Sequence, residues 1–155
     1  MAYAYWKAGK HKERAVFDLY FRKNPFGGKY TVFAGLEECI RFIANFKLSK
    51  EEIAFVRETL SPTCEDAFFD YLEGIGCSDV KVYAIAEGSV VFPKIPLMRV
   101  EGPVAVVQLL ETPYGTGPDG GIGASSNCAA GKIFGIPLRG THSHAFVSSF
   151  MWFIT

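Results

Sequence analysis

The sequence predicts an α+β fold in which helices precede a small antiparallel sheet, and three observations lead to this prediction. Apolar residues recur at helical spacing over 36–46, and a helix-start pattern follows at Ser49. Short β-rich runs separated by turn residues then occupy 80–100. The chain has 155 residues, of which 49% are hydrophobic, enough for one core. We therefore expect a single domain or a piece of one.

The first half of the chain is predicted to hold one strand and three helices. Residues 15–22 alternate between apolar and polar side chains, which is the period of a strand with one buried face. The helix over 36–46 turns Leu36, Cys39, Ile40, Ile43 and Phe46 inward. Ser49 and Glu52 form a capping-box pattern that starts the second helix. A third helix follows Pro62, with Phe68, Phe69 and Leu72 as its apolar stripe and an end at 74–76.

The second half begins with the β-rich runs and then loses its regular pattern. The runs 80–85, 89–92 and 97–100 predict the small antiparallel sheet. An apolar helix is expected over 104–110, and the glycine- and proline-rich stretch from Pro113 to Gly121 is expected to end it. Beyond that stretch, Ser125–Asn127 could cap a helix of small residues, and 136–140 resembles a strand that leads into a loop.

Composition and charge limit the classes of partner. Sixteen basic residues balance sixteen acidic ones, so the chain has no positive excess to attract nucleic acid or an anionic membrane. The four cysteines never form a Cys-x-x-Cys pair, which favours thiols in a reducing compartment over a zinc or disulfide site. No signal peptide and no run long enough to cross a bilayer is found. We expect a cytosolic protein with no nucleic-acid or membrane partner.

The residues most suited to chemistry lie in the loop Arg139-Gly-Thr-His-Ser-His144, at the end of a predicted strand. Loops at the carboxyl ends of strands are frequent active sites, where imidazole titrates near neutral pH and arginine holds anions. His142 and His144 are two residues apart and could share a metal ion on an extended strand, although no acidic partner lies close in sequence. The glycines of 117–121 match no complete phosphate-binding motif, and 24–28 alone indicates a loop.

A series of local motifs, in the same order along the chain, resembles the N-terminal part of animal nicotinate phosphoribosyltransferases. The motifs cover nearly the whole chain and are FDLYFRKNPFGG at 17–28, AGLEECIRF at 34–42, EGSVVFP at 87–93, GPVAVVQLLETP at 102–113, GPDGG at 117–121, SN at 126–127 and GTHSHAF at 140–146.

The resemblance implies a reaction, a fold and roles for particular residues. Members of the family join nicotinate to phosphoribosyl pyrophosphate, and they couple this step to ATP through a phosphorylated histidine, with Mg²⁺ as cofactor. It implies His144 as the phosphoryl acceptor, with Thr141 and Gly140 beside the substrate. Arg22 matches the basic, glycine-rich loop of the family and is a candidate phosphate contact, and Arg139 is a second candidate because of its position next to the histidine loop.

The resemblance also implies an incomplete protein. It divides the chain into an N-terminal α+β portion, 1–103, and a fragment of an irregular α/β barrel, 104–155. Family chains begin earlier, with a tyrosine that packs on nicotinate, and carry a helical stretch with two arginines where this chain has only Tyr114-Gly115-Thr116. They also continue through a second half that completes the barrel, and they form homodimers. We expect this chain to be inactive alone and to expose apolar surface.

Two other functions stay open at this point. The chain could be a non-catalytic splice form or fragment that acts only through interaction. It could also be a metal-dependent hydrolase that uses His142 and His144, which would require carboxylate ligands from elsewhere in the chain.

Overall fold

A computed structural model describes residues 1–24, 27–60 and 63–115, with the backbone alone for 112–115. In these residues the chain forms five helices and five strands. In chain order they are α1 Ala2–Lys7, β1 Arg14–Leu19, β2 Thr31–Val32, α2 Leu36–Ala44, α3 Lys50–Thr59, α4 Asp66–Glu73, β3 Lys81–Ala84, β4 Val90–Val91, β5 Met98–Pro103 and α5 Val104–Gly115. The α+β prediction is confirmed for this part of the chain.

The strands form two small antiparallel sheets. The larger has the order β1-β5-β3, and the smaller pairs β2 with β4. The sequence predicted the β-rich runs after residue 80, but β5 also pairs with β1, which lies eighty residues earlier in the chain, from Arg14 opposite Pro103 to Leu19 opposite Met98. Burial alternates along β1 as its sequence period predicted, with Ala15, Phe17 and Leu19 on the more buried face.

Helix α5 packs on the inner face of the larger sheet. Met98 and Val100 of β5 meet Val106, Val107 and Leu110 of α5 in one buried cluster, to which Ile43 of α2 and Ile75 also belong. Gly102 allows the helix to turn back closely, because a Cβ there would lie 3.0 Å from Val80 Cγ2 and 3.2 Å from Val107 Cγ2. The predicted boundary between 103 and 104 coincides with the junction of β5 and α5 and stays a prediction as a domain division.

A second cluster joins α3 and α4 to the N-terminus. Ile53, Phe68, Phe69 and Leu72 are buried in it, which confirms the apolar stripe predicted for α4. The helix α1 was not predicted. Its six residues are too few to be stable on intrinsic propensity, so it depends on tertiary packing: Tyr3 and Trp6 contact the ring of Phe68, with centroids 5.0 Å and 5.7 Å away.

The helix termini confirm one prediction and correct another. The Ser49 hydroxyl accepts the Glu52 amide at 3.2 Å, and the Glu52 carboxylate accepts the Ser49 amide at 2.8 Å, so the capping box is formed. The expectation that regular structure stops at Pro113 was wrong, since α5 runs to Gly115. Pro113 lies in the last turn of α5, where the loss of its amide donor affects only the end of the helix, and the helix ends two residues later.

Three further expectations concern residues outside those described. They are the helix after Ser125, the strand at 136–140 and the barrel fragment beyond α5. In the part of the chain that the structure describes, no helix is both long enough and apolar enough to cross a membrane.

Candidate functional site

The predicted site residues are divided between the two parts of the chain. Arg139, Gly140, Thr141, His142 and His144 all lie outside the described residues, so their predicted roles stay predictions. Arg22 is described. It follows β1, its side chain is exposed, and it lines a cavity beside that strand.

The cavity lies between the inner face of the larger sheet and α5. Its volume is about 270 Å³, close to the lower end of the range for small-molecule sites. The rim is polar and carries Tyr20, Arg22 and Glu111; Asp18 also lines the cavity from β1, but its side chain belongs to the exposed face of that strand. The floor is apolar and consists of Phe17, Leu19, Met98, Val100, Val107 and Leu110.

The carboxylates of Asp18 and Glu111 both accept hydrogen bonds from neighbouring side chains. Asp18 accepts hydrogen bonds from Arg99 Nε at 2.9 Å and Nη2 at 3.4 Å across the sheet. The hydrogen bond and the charge of Asp18 raise the pKa of Arg99. Glu111 accepts a hydrogen bond from Gln108 Nε2, one helical turn earlier on α5. The guanidinium of Arg99 offsets the charge of Asp18, whereas the neutral amide of Gln108 leaves Glu111 with its negative charge.

Arg22 differs from these two acidic residues. Its guanidinium makes no ion pair with a described residue, and an arginine in that state can hold a phosphate or carboxylate through its planar array of donors. The rim thus offers one uncommitted cation above an apolar floor. This arrangement suits an anion that also has an apolar or ring-shaped part.

Gln108 is the buried polar residue of this region. Only 4% of its surface is exposed, and its Oε1 has no hydrogen-bond partner among the described residues. A buried amide oxygen that accepts no hydrogen bond lowers the stability of the fold. A donor from outside the described residues would therefore stabilise the side chain of Gln108. Its place on α5, one turn from Glu111, puts it next to the cavity rim.

Two cysteines and one histidine of the described residues are partly buried, and burial shifts their pKa values. Burial raises the pKa of Cys77 to about 11 and also raises the pKa of Cys39, with smaller contributions from Glu38 and Glu87. Burial lowers the pKa of His11, and the charge of Lys12 makes a smaller contribution in the same direction. The His11 ring contacts the Tyr71 ring edge-on, with 4.9 Å between the ring centroids. Cys39, Cys77 and His11 pack against their neighbours and are not arranged as catalytic nucleophiles. No group of three or more metal-ligating side chains occurs within the described ranges.

Sequence reasoning missed most of the rim. Asp18 and Tyr20 were assigned only to the polar face of a strand, and Glu111 and Gln108 were not singled out. The signal that could have found them is the pairing of β1 with β5, which brings residues 18–22 next to the start of α5. No local pattern in the sequence shows that pairing.

Comparisons with known proteins identify the family. The sequence profile of the nicotinate phosphoribosyltransferase (NAPRTase) N-terminal domain matches residues 1–114. The chain belongs to the nicotinate phosphoribosyltransferase family. Nicotinate phosphoribosyltransferase 1 of Arabidopsis thaliana is 60% identical over 196 aligned positions, which include 97% of this chain. The Caenorhabditis elegans relative is 42% identical over a similar span.

A solved structure agrees with this assignment and shows how much of the family protein is present. The crystal structure of human nicotinic acid phosphoribosyltransferase superposes with a TM-score of 0.68 at 37% identity, covering 97% of this chain and 39% of that chain. The chain spans about 35% of the length of the Arabidopsis relative. Because the alignment has 196 positions and the chain 155 residues, the relatives also carry internal residues that this chain lacks.

Proposed function

We propose that this chain is a nicotinate phosphoribosyltransferase polypeptide whose N-terminal domain is formed and whose active site is incomplete, so that it does not turn over substrate alone. The observation that carries the proposal is its coverage of the family: the whole chain corresponds to about a third of its relatives, with internal positions missing. A catalytic site needs its groups held in place by a complete surrounding structure, and most of that structure lies outside this sequence.

The reaction proposed for the complete enzyme is a displacement at the anomeric carbon of phosphoribosyl pyrophosphate. The pyridine nitrogen of nicotinate forms a bond to that carbon, and the bond from the carbon to the pyrophosphate oxygen breaks. Nicotinate mononucleotide and pyrophosphate are the products, and the reaction belongs to NAD biosynthesis by salvage. In this chain Thr141 and Gly140 are proposed to contact the nicotinate, and Arg22 and Arg139 the phosphates.

ATP coupling is proposed to use His144. A neutral imidazole nitrogen attacks the γ-phosphorus of ATP, the bond to the β-γ bridging oxygen breaks, and ADP leaves. Hydrolysis of the phosphohistidine returns the imidazole. Mg²⁺ would offset the charge of the phosphate and pyrophosphate groups, and because it is held largely by substrate oxygens and water it needs few protein ligands.

The geometry around Arg22 supports its proposed role. Arg22 is exposed and lines the cavity, and the carboxylate of Asp18 is already paired with Arg99. A phosphate that reaches this rim would meet the guanidinium of Arg22 as a cation, with Glu111 as the carboxylate of the rim that it must avoid. The homodimer and the cytosolic location implied by the family remain part of the same proposal.

Product formation tests the proposal. The purified chain is incubated with nicotinate, phosphoribosyl pyrophosphate, ATP and Mg²⁺, and nicotinate mononucleotide is measured by chromatography against the Arabidopsis relative as positive control. We expect product from the relative and none from this chain. Product that the parent chain makes and its His144→Ala variant does not would contradict the claim of an incomplete site.

The partial reaction tests the assignment of the histidine. After incubation with γ-labelled ATP and Mg²⁺, acid-labile label on the chain is compared in the parent, His144→Ala and His142→Ala. Label that the His144 variant loses and the His142 variant keeps supports the assignment, because attack requires one correctly oriented nitrogen. Label retained in His144→Ala and lost in His142→Ala would move the role to His142.

A further inference from the structure

The cavity between the larger sheet and α5 carries charges of both signs at its rim. Arg22, which follows β1, and Glu111, on α5, both line it, and both side chains are exposed. The two residues form no ion pair with each other. Because they line one cavity without meeting, a gap separates their charged groups. A ligand that lies in this gap can be attracted from both sides.

The carboxylate of Glu111 is held in place by a buried side chain. Only 4% of the surface of Gln108 is exposed, and its Nε2 donates a hydrogen bond to Glu111 Oε2. Since Gln108 is enclosed by close-packed neighbours, it has little freedom to move and fixes the position of this oxygen. The amide of Gln108 is neutral, so Glu111 keeps its negative charge and has lone pairs for a further donor.

The floor of the cavity favours an apolar group. Phe17 of β1, Val100 of β5 and Leu110 of α5 line it and belong to the main hydrophobic cluster or pack against it. The volume of about 270 Å³ is just below the range of drug-sized sites, so the ligand must be small. An apolar side chain that enters this cavity leaves water, which favours binding.

The two rim charges select a ligand that has both signs of charge. A ligand with a single charge is attracted by one of the two residues and repelled by the other. A second, opposite charge on the ligand turns the repulsive neighbour into an attractive one. An α-amino acid carries a carboxylate and an ammonium group on one carbon, together with a side chain that can reach the apolar floor.

We propose that this cavity binds a zwitterionic amino acid with an apolar side chain. Arg22 binds its carboxylate through the paired donors of the guanidinium, and Glu111 accepts hydrogen bonds from its ammonium group. The apolar floor takes the side chain. The site is formed by described residues alone, so the proposal is independent of the reaction proposed for the complete enzyme and does not require this chain to turn over substrate.

Binding of L-phenylalanine to the purified full chain tests the proposal, with ligand-observed NMR titration as the measurement. For a ligand of this size at an exposed rim we expect a Kd on the order of 1 mM. Two analogues each lack one charge: 3-phenylpropionate has no ammonium group, and 2-phenylethylamine has no carboxylate. Each should bind about tenfold more weakly or worse, because one charge-assisted hydrogen bond is lost and one rim charge becomes repulsive.

Charge-neutral variants assign each end of the ligand to a residue. Arg22→Gln should weaken the binding of phenylalanine about tenfold and leave 2-phenylethylamine no weaker, whereas Glu111→Gln should weaken phenylalanine similarly and leave 3-phenylpropionate no weaker. Lys81→Gln and Glu58→Gln are the matched controls. They remove the same charges from exposed positions on β3 and α3, which contribute no residue to the cavity, and should leave the affinity for phenylalanine unchanged.

Three results would overturn the proposal. The first is the absence of saturable binding of phenylalanine to the parent chain, as expected if residues 116–155 fill the cavity. The second is binding of 3-phenylpropionate as tight as that of phenylalanine, which would show that Arg22 binds anions and that Glu111 takes no part. The third is an equal loss of affinity in the cavity variants and in the control variants, which would indicate nonspecific attraction to the surface.

Discussion

Gly102→Ala tests the close packing of β5 against α5. A Cβ at this position would lie 3.0 Å from Cγ2 of Val80 and 3.2 Å from Cγ2 of Val107, and 3.5 Å from the Cα of Val80. Both neighbours are β-branched and have few alternative rotamers, so neither side chain can swing aside. Gly102 lies on the central strand of the sheet, opposite Ala15, where the backbone is held on both sides.

The cost follows from these distances. Two contacts below ordinary van der Waals separation must be relieved by small shifts of β5 or α5, and overpacking of this kind costs about 1–3 kcal/mol. Alanine restricts the unfolded chain more than glycine does, which offsets about 0.4–1 kcal/mol of that cost. We expect a net loss of about 1–2 kcal/mol in the free energy of unfolding, or a melting temperature lower by roughly 2–8 °C.

Urea denaturation followed by circular dichroism measures this loss, and Gly76→Ala is the matched control. A Cβ at Gly76 would meet nothing within 4 Å, so that variant should be neutral or slightly stabilised. The comparison holds only if the dependence of the unfolding free energy on urea is the same in both variants. Equal stability of Gly102→Ala and Gly76→Ala would refute the packing of α5 against β5 described above.

Three further predictions concern a helix cap, a histidine and a cysteine. Ser49→Ala should lower the free energy of unfolding by about 1 kcal/mol in urea titrations, because the Glu52 amide loses its acceptor; no change would refute the role of the capping box. His11 has a folded-state pKa lowered by burial, so its contribution to stability is present above the unfolded-state pKa and is lost as the pH falls through the folded-state pKa. His11→Gln should therefore lose less unfolding free energy than the parent between about pH 7.5 and about pH 5.5, and an equal loss would contradict this. Burial raises the pKa of Cys77 to about 11, so iodoacetamide should alkylate it more slowly in the native chain than in urea, as measured by peptide mass spectrometry; equal rates would contradict its burial.

The elements that sequence reasoning predicted well are those with strong local signals. The capping box at Ser49, the apolar stripe of α4 and the alternation of β1 each depend on residues that lie a few positions apart in the sequence. Helix α1, which was not predicted, has six residues and packs on Phe68. Strand β2, which was also not predicted, has two residues and pairs with β4. Contacts between residues so distant in the chain leave no local pattern.

The candidate site shows the same division between local and distant information. The resemblance supplied Arg22 and His144 because motifs are local, whereas the surroundings of Arg22 depend on the pairing of β1 with β5. Asp18 and Glu111 line one cavity although ninety-three positions separate them in the printed sequence. Their partners, Arg99 and Gln108, come from a strand and a helix that the sequence predicted separately.

The central claim is that a chain covering about a third of its relatives still folds the N-terminal domain of the family. Hydrogen-deuterium exchange of the full chain, read by peptide mass spectrometry, tests it most directly. We predict slow exchange in peptides of β5 and α5, whose residues Val100, Val107 and Leu110 form the centre of the core, and in α2. Exchange in all of these peptides as fast as in urea would contradict the claim, because no core would then be formed.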